Sequence, residues 1–303
     1  MLAVRSAAVV GAGGFIGQHL TAALCAGGWR VTAYTRADEL WWPDDPRAPE
    51  VVFYLASSIN PARAEQYPEL VTADHRRFSE LLSRLARSAH PPTVVFTSSA
   101  GTVYDPGVPG RCREDAPTRA TNRYGTAKLA LEQLLLDHAG SVPAVILRLS
   151  TVYGPGQRVG RGQGVLASWL SAVAEHRPLP MIGDPRATRD YVYVDDVVDC
   201  MLRVDRPTEP LVLNVGSGVS TSLAQLLSIV ESVVGRELPV QGLPVRSVDR
   251  QDVRLDVRRA AHWLGWRART SLYDGVAAMW HAVRPEDQST LTGAGAPVGT
   301  LQR

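Results

Sequence analysis

Lysine is almost missing from this chain: among its 32 Lys plus Arg residues, Lys128 is the one lysine. The 30 Asp plus Glu residues leave a formal net charge of +2, too small a field to point to nucleic acid or an anionic membrane as partner. Cysteine is scarce as well. Cys25, Cys112 and Cys200 are scattered, odd in number and without ligand spacing, which excludes a disulfide framework, implies no metal site, and reads as reduced thiols. No window holds the roughly 20 apolar residues of a membrane span, and the first residues carry no signal-peptide apolar region. The expectation is a cytoplasmic protein with no membrane partner.

What the 303 residues do contain is chain enough for a large core in one or two domains. The apolar run 7-AAVV-10 suits a strand buried on both faces of a parallel sheet. It is followed by the glycine turn 11-GAGGFIG-17, a helical pattern in 18-QHLTAALCAGG-28 that ends at Gly27 and Gly28, and a second strand at 30-RVTAYTR-36. Strand, glycine turn, helix, strand is the first half of a doubly wound dinucleotide fold. The next segment, 37-ADELWWPDDPRAPE-50, is too short for a full third strand with its crossover helix, so that unit is expected to be abbreviated or absent. Strand 51-VVFYLAS-57, a helix near 68–88, the strand entering 97-TSSAGTVYD-105, a helix over 122–138 and strand 144-AVILRLS-150 continue the alternation. Beyond residue 155 a Gly-rich loop, 160-GRGQGV-165, leads to a helix over 165–175, short strands at 179–183, 191–194 and 211–216, and a helix over 222–235. Residues 285–303 lack apolar periodicity and are expected to be disordered.

A glycine turn between strand and helix lets backbone approach a pyrophosphate, while the helix N-terminus supplies N–H donors. Gly11, Gly14 and Gly17 hold those positions. An acid at the end of the second strand would bind the ribose 2′-hydroxyl of NAD, whereas an arginine pairs with the 2′-phosphate of NADP. Here the strand ends in Thr35 and Arg36, which favours NADPH, although Asp38, two residues on, keeps NAD as the alternative. Tyr124 and Lys128 stand four apart, so both project from one face of a helix. An ammonium beside a phenol stabilises the phenolate and lowers a pKa that is otherwise about 10. The stretch TSSAGTVYD adds five hydroxyls, at Thr97, Ser98, Ser99, Thr102 and Tyr104. For a diphosphate, Arg189 and Arg250 are candidate forks, with Asp190 and Asp252 beside them as possible orienting acids.

The ordered motifs GAGGFIG, YLAS (54–57), TSSAGTVY (97–104), YGTAK (124–128), RLSTVYGPGQ (148–157), GDPRATRDYVYVDDV (183–197), NVGSG (214–218) and LGW (264–266) resemble the extended short-chain dehydrogenase/reductase family. Within it they are closest in pattern to the NAD-dependent epimerase/dehydratase group acting on nucleotide sugars. The resemblance, over residues 7 to 280, implies an α/β, Rossmann-type doubly wound parallel sheet with a smaller C-terminal substrate-binding lobe. Residues 1–155 would form the NADP(H)-binding domain, its sheet completed by later segments, and 156–284 the nucleotide-sugar lobe. It implies that Tyr124 is the acid/base and that Lys128 holds the nicotinamide ribose. Cofactor contacts are implied for Gly11, Gly14, Phe15, Ile16, Gly17, Arg36, Leu55, Ala56, Ser57, Ser98, Tyr124, Lys128 and Thr151. Substrate contacts are implied for Thr102, Thr151, Gly164, Val165, Arg189 and Arg250, and a homodimer through helical faces is compatible with the family.

Three departures shape the expected reaction. The family's usual catalytic hydroxyl falls on Ala100, so Thr102 or Ser99 must supply it, with Thr102 favoured by likeness to an SSGGTVYG branch. Thr151 stands where many sugar epimerases have Asn. The Asp-Glu pair of dehydratases is replaced by Gly101-Thr102, which argues against dehydration. The expectation is an NADPH-dependent 4-ketoreductase of a dTDP-4-keto-6-deoxyhexose, with a 4-epimerase retaining NAD as the alternative. A non-catalytic NADP(H) sensor is the alternative of another class, and the intact Tyr124/Lys128 pair speaks against it.

Overall fold

The structure is a computed structural model that describes residues 4–36, 38, 48–108, 110–159, 164–244 and 254–284. The Gly-rich stretch 160–163, Arg250 and the tail 285–303 therefore lie outside the described residues. The chain begins with β1 (Ser6–Val10), α1 (Phe15–Ala26), β2 (Arg30–Tyr34), β3 (Val51–Tyr54), α2 (Pro61–Gln66) and α3 (Pro68–Leu85). It continues through β4 (Thr93–Ser99), α4 (Ala100–Val103), α5 (Arg123–Asp137), β5 (Ala144–Leu149) and β6 (Thr151–Tyr153). After these come α6 (Val165–Ala174), β7 (Leu179–Ile182), β8 (Thr188–Tyr193), α7 (Val194–Leu202) and β9 (Leu211–Val215). The last elements are β10 (Ser220–Ser222), α8 (Leu223–Val234), β11 (Val240–Leu243), α9 (Arg258–Leu264) and α10 (Leu272–Val283).

Six parallel strands form one sheet in the order β2-β1-β3-β4-β5-β9. β1 and β3, which carry no exposed residue, lie inside it and are apolar on both faces, as a sheet covered on both sides requires. One face packs on Leu20 and Leu24 of α1, Val197, Val198 and Met201 of α7, and Trp266 beyond α9. The other packs on Phe78, Leu81, Leu82 and Leu85 of α3 and on Leu131 and Leu135 of α5. Strand order reverses between β1 and β3, the switch point outside whose carboxyl ends ligands bind in such folds. Among the described residues no strand lies beyond β2, so β2 is an edge, and residues 37 and 39–47 of the short segment lie outside the described set.

After β5 the chain builds a second lobe and then returns. β6, β8 and β10 make a three-stranded sheet, β7 pairs with β11, and α6, α8 and α10 bury Trp169, Leu226, Val276 and Met279 between them. β9 adds to the large sheet beside β5, so chain from beyond residue 155 completes it. The two lobes are joined through α7. Asp196 accepts the Thr270 N–H at 2.9 Å while its carbonyl accepts the Trp266 indole N–H at 2.9 Å. Among the described residues no helix is long and apolar enough to cross a membrane.

Candidate active site

The glycine turn is shaped by close approach. Gly11 has φ +98°, and a Cβ there would sit 2.8 Å from the Ala56 N, so only glycine lets the end of β1 pass the end of β3. A Cβ on Gly17 would collide with the Gly11 carbonyl, which keeps α1 close to the turn. Gly14 caps α1 without a side-chain hydrogen bond, leaving the first-turn N–H groups of Phe15 and Ile16 without an intrahelical partner. Leu55 and Ala56 border the turn, with the Leu55 N–H donating to the Val10 carbonyl at 2.8 Å. Ser57 is turned aside, its hydroxyl donating to the Ile59 carbonyl at 3.0 Å. A backbone cradle at a helix N-terminus over the switch point fits a dinucleotide pyrophosphate. The Ser98 hydroxyl, 4% exposed and without a partner among the described residues, is a buried polar atom on the same sheet end.

Tyr124 and Lys128 stand on the first turns of α5, whose N-terminus is capped by Asn122 through its side-chain oxygen and the Gly125 N–H at 2.8 Å. Gly125 is needed beneath them, because a Cβ there would collide with the Thr102 carbonyl of α4. The close packing of α4 on α5 brings Ser99, the N-cap of α4, to the side of Tyr124, where it acts to lower the phenol's pKa. Thr102, by contrast, turns its hydroxyl back on the Ser99 carbonyl at 3.3 Å. Of the two residues, Ser99 is the one beside the phenol. Ala100 is 0% exposed, in an apolar cluster with Val103, Tyr104, Cys112 and Leu255.

Electrostatics depart from expectation too. Burial pushes the Tyr124 phenol up to about 12, opposed by the bond with Ser99. The lowering expected from Lys128 does not dominate, because its ammonium lies 5.7 Å from the Tyr124 ring centroid and donates to the Thr97 carbonyl at 3.0 Å. Lys128 is 5% exposed. Burial brings it down to about 8, resisted by Asp74 and Glu132.

At the end of β2, Arg36 is exposed. One carboxylate oxygen of Asp38 accepts the Thr35 N–H at 2.6 Å and the Thr35 hydroxyl at 2.7 Å, and these bonds hold Asp38 below the usual carboxylate range. On the substrate side, Arg189 is half-buried on β8, donating to the Thr188 carbonyl at 2.8 Å. Asp190 is not its orienting acid. Neighbours on a strand project to opposite faces, and the Asp190 carboxylate accepts the N–H groups of Ser217 and Gly218, each at 2.8 Å. Thr151 lies on β6 opposite Tyr191 of β8. Gly164 has φ +86° and a Cβ there would meet Gln157 at 2.9 Å, while Val165 opens α6 against the core of the second lobe.

Some residues were not singled out by sequence. Asp74 of α3 accepts the Ser58 N–H at 2.7 Å just after β3. Arg148 of β5 forms a buried ion pair with Glu132 of α5 at 2.7 Å, one turn beyond Lys128. Asn214 of β9 accepts the Tyr104 hydroxyl at 2.6 Å and donates to the carbonyls of Cys112 and Asp256 at 2.9 and 3.0 Å. The first two pairs join distant segments and leave no local pattern, while Asn214 was visible only as part of NVGSG.

The sequence matches the NAD dependent epimerase/dehydratase family over residues 7–216. It is 34% identical over 249 residues to a UDP-glucose 4-epimerase of Mycolicibacterium smegmatis, covering 79% of this chain and 78% of that protein. It is 29% identical over 194 residues to a dTDP-4-dehydro-6-deoxyglucose reductase of Escherichia coli, covering 63% and 61%. Among solved structures, UDP-glucose 4-epimerase of Thermotoga maritima with UDP-glucose superposes with a TM-score of 0.84 at 25% identity, over 92% of this chain and 98% of that one. MoeE5 in complex with UDP-glucuronic acid and NAD superposes with a TM-score of 0.81 at 29% identity, over 91% and 98%.

Proposed function

The chain belongs to the NAD dependent epimerase/dehydratase family, and from that premise we propose that it reduces the 4-keto group of a nucleotide-linked 4-keto-6-deoxyhexose, with dTDP as the nucleotide and NADPH as reductant. The observation that carries this reading is the end of β2. Thr35 and Arg36 occupy the place of a diol-binding acid, and the nearest acid, Asp38, is bonded to the N–H and hydroxyl of Thr35. A cationic strand end suits the extra phosphate of NADPH, and a reductase that exchanges its cofactor every turnover is the natural user of NADPH. Likeness to the Escherichia coli reductase agrees with it.

When bound, the reduced nicotinamide supplies hydride to the sugar carbonyl carbon. Tyr124 gives its proton to the carbonyl oxygen as that carbon is reduced. Ser99, beside the phenol, donates toward the same oxygen and then to the phenolate. Lys128 anchors the floor of the site from the Thr97 carbonyl and, as an ammonium, favours the phenolate left behind. Thr102 supports Ser99 from behind. Arg189, with Arg250, would pair with the diphosphate.

The test is oxidation of NADPH by the purified protein on addition of dTDP-4-keto-6-deoxyglucose, with a 4-hydroxy product. The second reading, a UDP-sugar 4-epimerase, draws on the Mycolicibacterium relative. It would be preferred if nicotinamide stayed with the protein through purification and UDP-glucose turned over without added cofactor.

A further inference from the structure

We propose that Arg77 of α3 is a specificity-determining residue that pairs with the 2′-phosphate of the cofactor's adenosine, with Arg36 beside it; this rests on the NADPH reading above. A dinucleotide whose pyrophosphate lies on the glycine turn places its adenosine beyond the carboxyl end of β2. The chain has a cavity of about 400 Å³ there, between the strand end and α3, lined by Asp38, Ser58, Asp74, Arg76, Arg77 and Arg84 among others. No described strand lies outside β2, so a helix faces this space from α3, and the residues it presents there decide what fits.

Their hydrogen bonds divide them. Asp38 is bonded to the N–H and hydroxyl of Thr35, and Asp74 to the N–H of Ser58 at 2.7 Å. Each carboxylate thus has one oxygen engaged by donors of the strand ends, which leaves less accepting capacity for a ribose diol. Arg77 is fixed from the other side. Its Nη2 donates to the Asp38 carbonyl at 3.0 Å and to the Thr35 carbonyl at 3.4 Å. These contacts hold one nitrogen of a planar five-donor group at the end of β2. A guanidinium held by neutral carbonyls keeps its full charge, and with Arg76 lining the same cavity it favours a dianionic phosphate over a hydroxyl. Arg36 sits at the exposed end of the strand, outside the cavity lining, so it is the second cation rather than the first.

The test is equilibrium binding by titration calorimetry of NADPH, NADH, 2′,5′-ADP and 5′-AMP to wild type, Arg77→Gln and Arg77→Lys, with thermal unfolding of each. Arg77→Gln is expected to weaken NADPH and 2′,5′-ADP by about tenfold or more, the scale of a charge-assisted pair. NADH and 5′-AMP should stay within about twofold, since neither carries the phosphate. Arg77→Lys should lose about threefold, because an ammonium lacks the fork. If all four ligands weaken equally, Arg77 meets adenine or ribose and the proposal is overturned. An unchanged ratio of NADPH to NADH affinity in a folded variant overturns it as well. Should Arg77→Gln not fold, an unchanged ratio in Arg77→Lys has the same force. A wild type that prefers NADH would sink the NADPH reading itself, whereas NADPH preference surviving in the variants removes the role of Arg77 alone.

Discussion

Removing the hydroxyl of Ser99 is expected to slow the chemical step far more than removing that of Thr102. Burial drives the Tyr124 phenol up to about 12, and the hydrogen bond with Ser99 is what opposes it. Once Tyr124 has given up its proton the oxygen is charged. A hydrogen bond to a charged group contributes about 1.5–3 kcal/mol, against about 1 kcal/mol for a neutral one. The charged state thus loses about 0.5–2 kcal/mol more than the neutral one, and at about 1.4 kcal/mol per factor of ten Ser99→Ala should lower kcat by about 2- to 30-fold. The ground state loses only a neutral bond, so stability should fall by about 1 kcal/mol or less. Thr102→Val keeps the shape and removes a single 3.3 Å bond to the Ser99 carbonyl, for which a change within about threefold is expected. Single-turnover measurement with saturating NADPH and 4-keto sugar nucleotide separates chemistry from cofactor exchange and product release, and parallel thermal unfolding separates chemistry from folding. Ser99→Ala within about twofold of wild type, or Thr102→Val slowed as much as Ser99→Ala, would refute the assignment.

Three other substitutions probe the surroundings. Lys128 has a folded pKa of about 8 against an ordinary 10.5, so keeping it charged costs stability at neutral pH, a cost relieved as pH rises from about 8 toward 10.5. Lys128→Met should therefore abolish turnover yet leave Tm at neutral pH unchanged or higher, and a Tm lowered by several degrees would contradict the sign. Gly125→Ala places a methyl against the Thr102 carbonyl. Overpacking of this kind costs about 1–3 kcal/mol, and kcat should fall with it because α4 can no longer hold Ser99 on Tyr124; wild-type kinetics with wild-type Tm would show the packing to be slack. Glu132→Gln leaves the Arg148 guanidinium, 8% exposed, without its carboxylate, for which denaturant unfolding should register a loss of about 3–5 kcal/mol.

The glycine turn, the parallel sheet and the Tyr124/Lys128 pair were legible because each is written over a few adjacent residues: an apolar run, a glycine triplet, a spacing of four. An abbreviated third unit is expected from chain length alone, and most of that segment, residues 37 and 39–47, lies outside the described residues. What could not be read is tertiary. β9 reads as one more short strand, and nothing in LVLNV says that it pairs with β5 after the chain has built another lobe. Asp190 seemed placed to steer Arg189 by adjacency alone, yet strand alternation sends the two side chains apart and the loop at Ser217 takes the acid. The phenol's pKa was misjudged for a similar reason: spacing places Lys128 near Tyr124, but only the fold reveals how deeply both are buried.

The hydroxyls of TSSAGTVYD are ranked by where β4 ends. The strand stops at Ser99 and a single helical turn, Ala100–Val103, begins. That boundary sends residue 100 into an apolar cluster, where an unpaired hydroxyl would cost about 1–3 kcal/mol. The side chain one position earlier, at the helix cap, faces Tyr124 instead. The turn cannot drift, because Tyr104 just beyond it is tied to Asn214, and Asn214 in turn to the carbonyls of Cys112 and Asp256. Asn214 belongs to β9, the strand that returns from the second lobe. The residues that complete the large sheet last are therefore the ones that fix the loop carrying Ser99. Loosening β9, for instance by Asn214→Ala, should misplace Ser99 and lower kcat with the cofactor cradle left intact, and an equal loss in NADPH affinity would show that the coupling runs through the whole sheet instead.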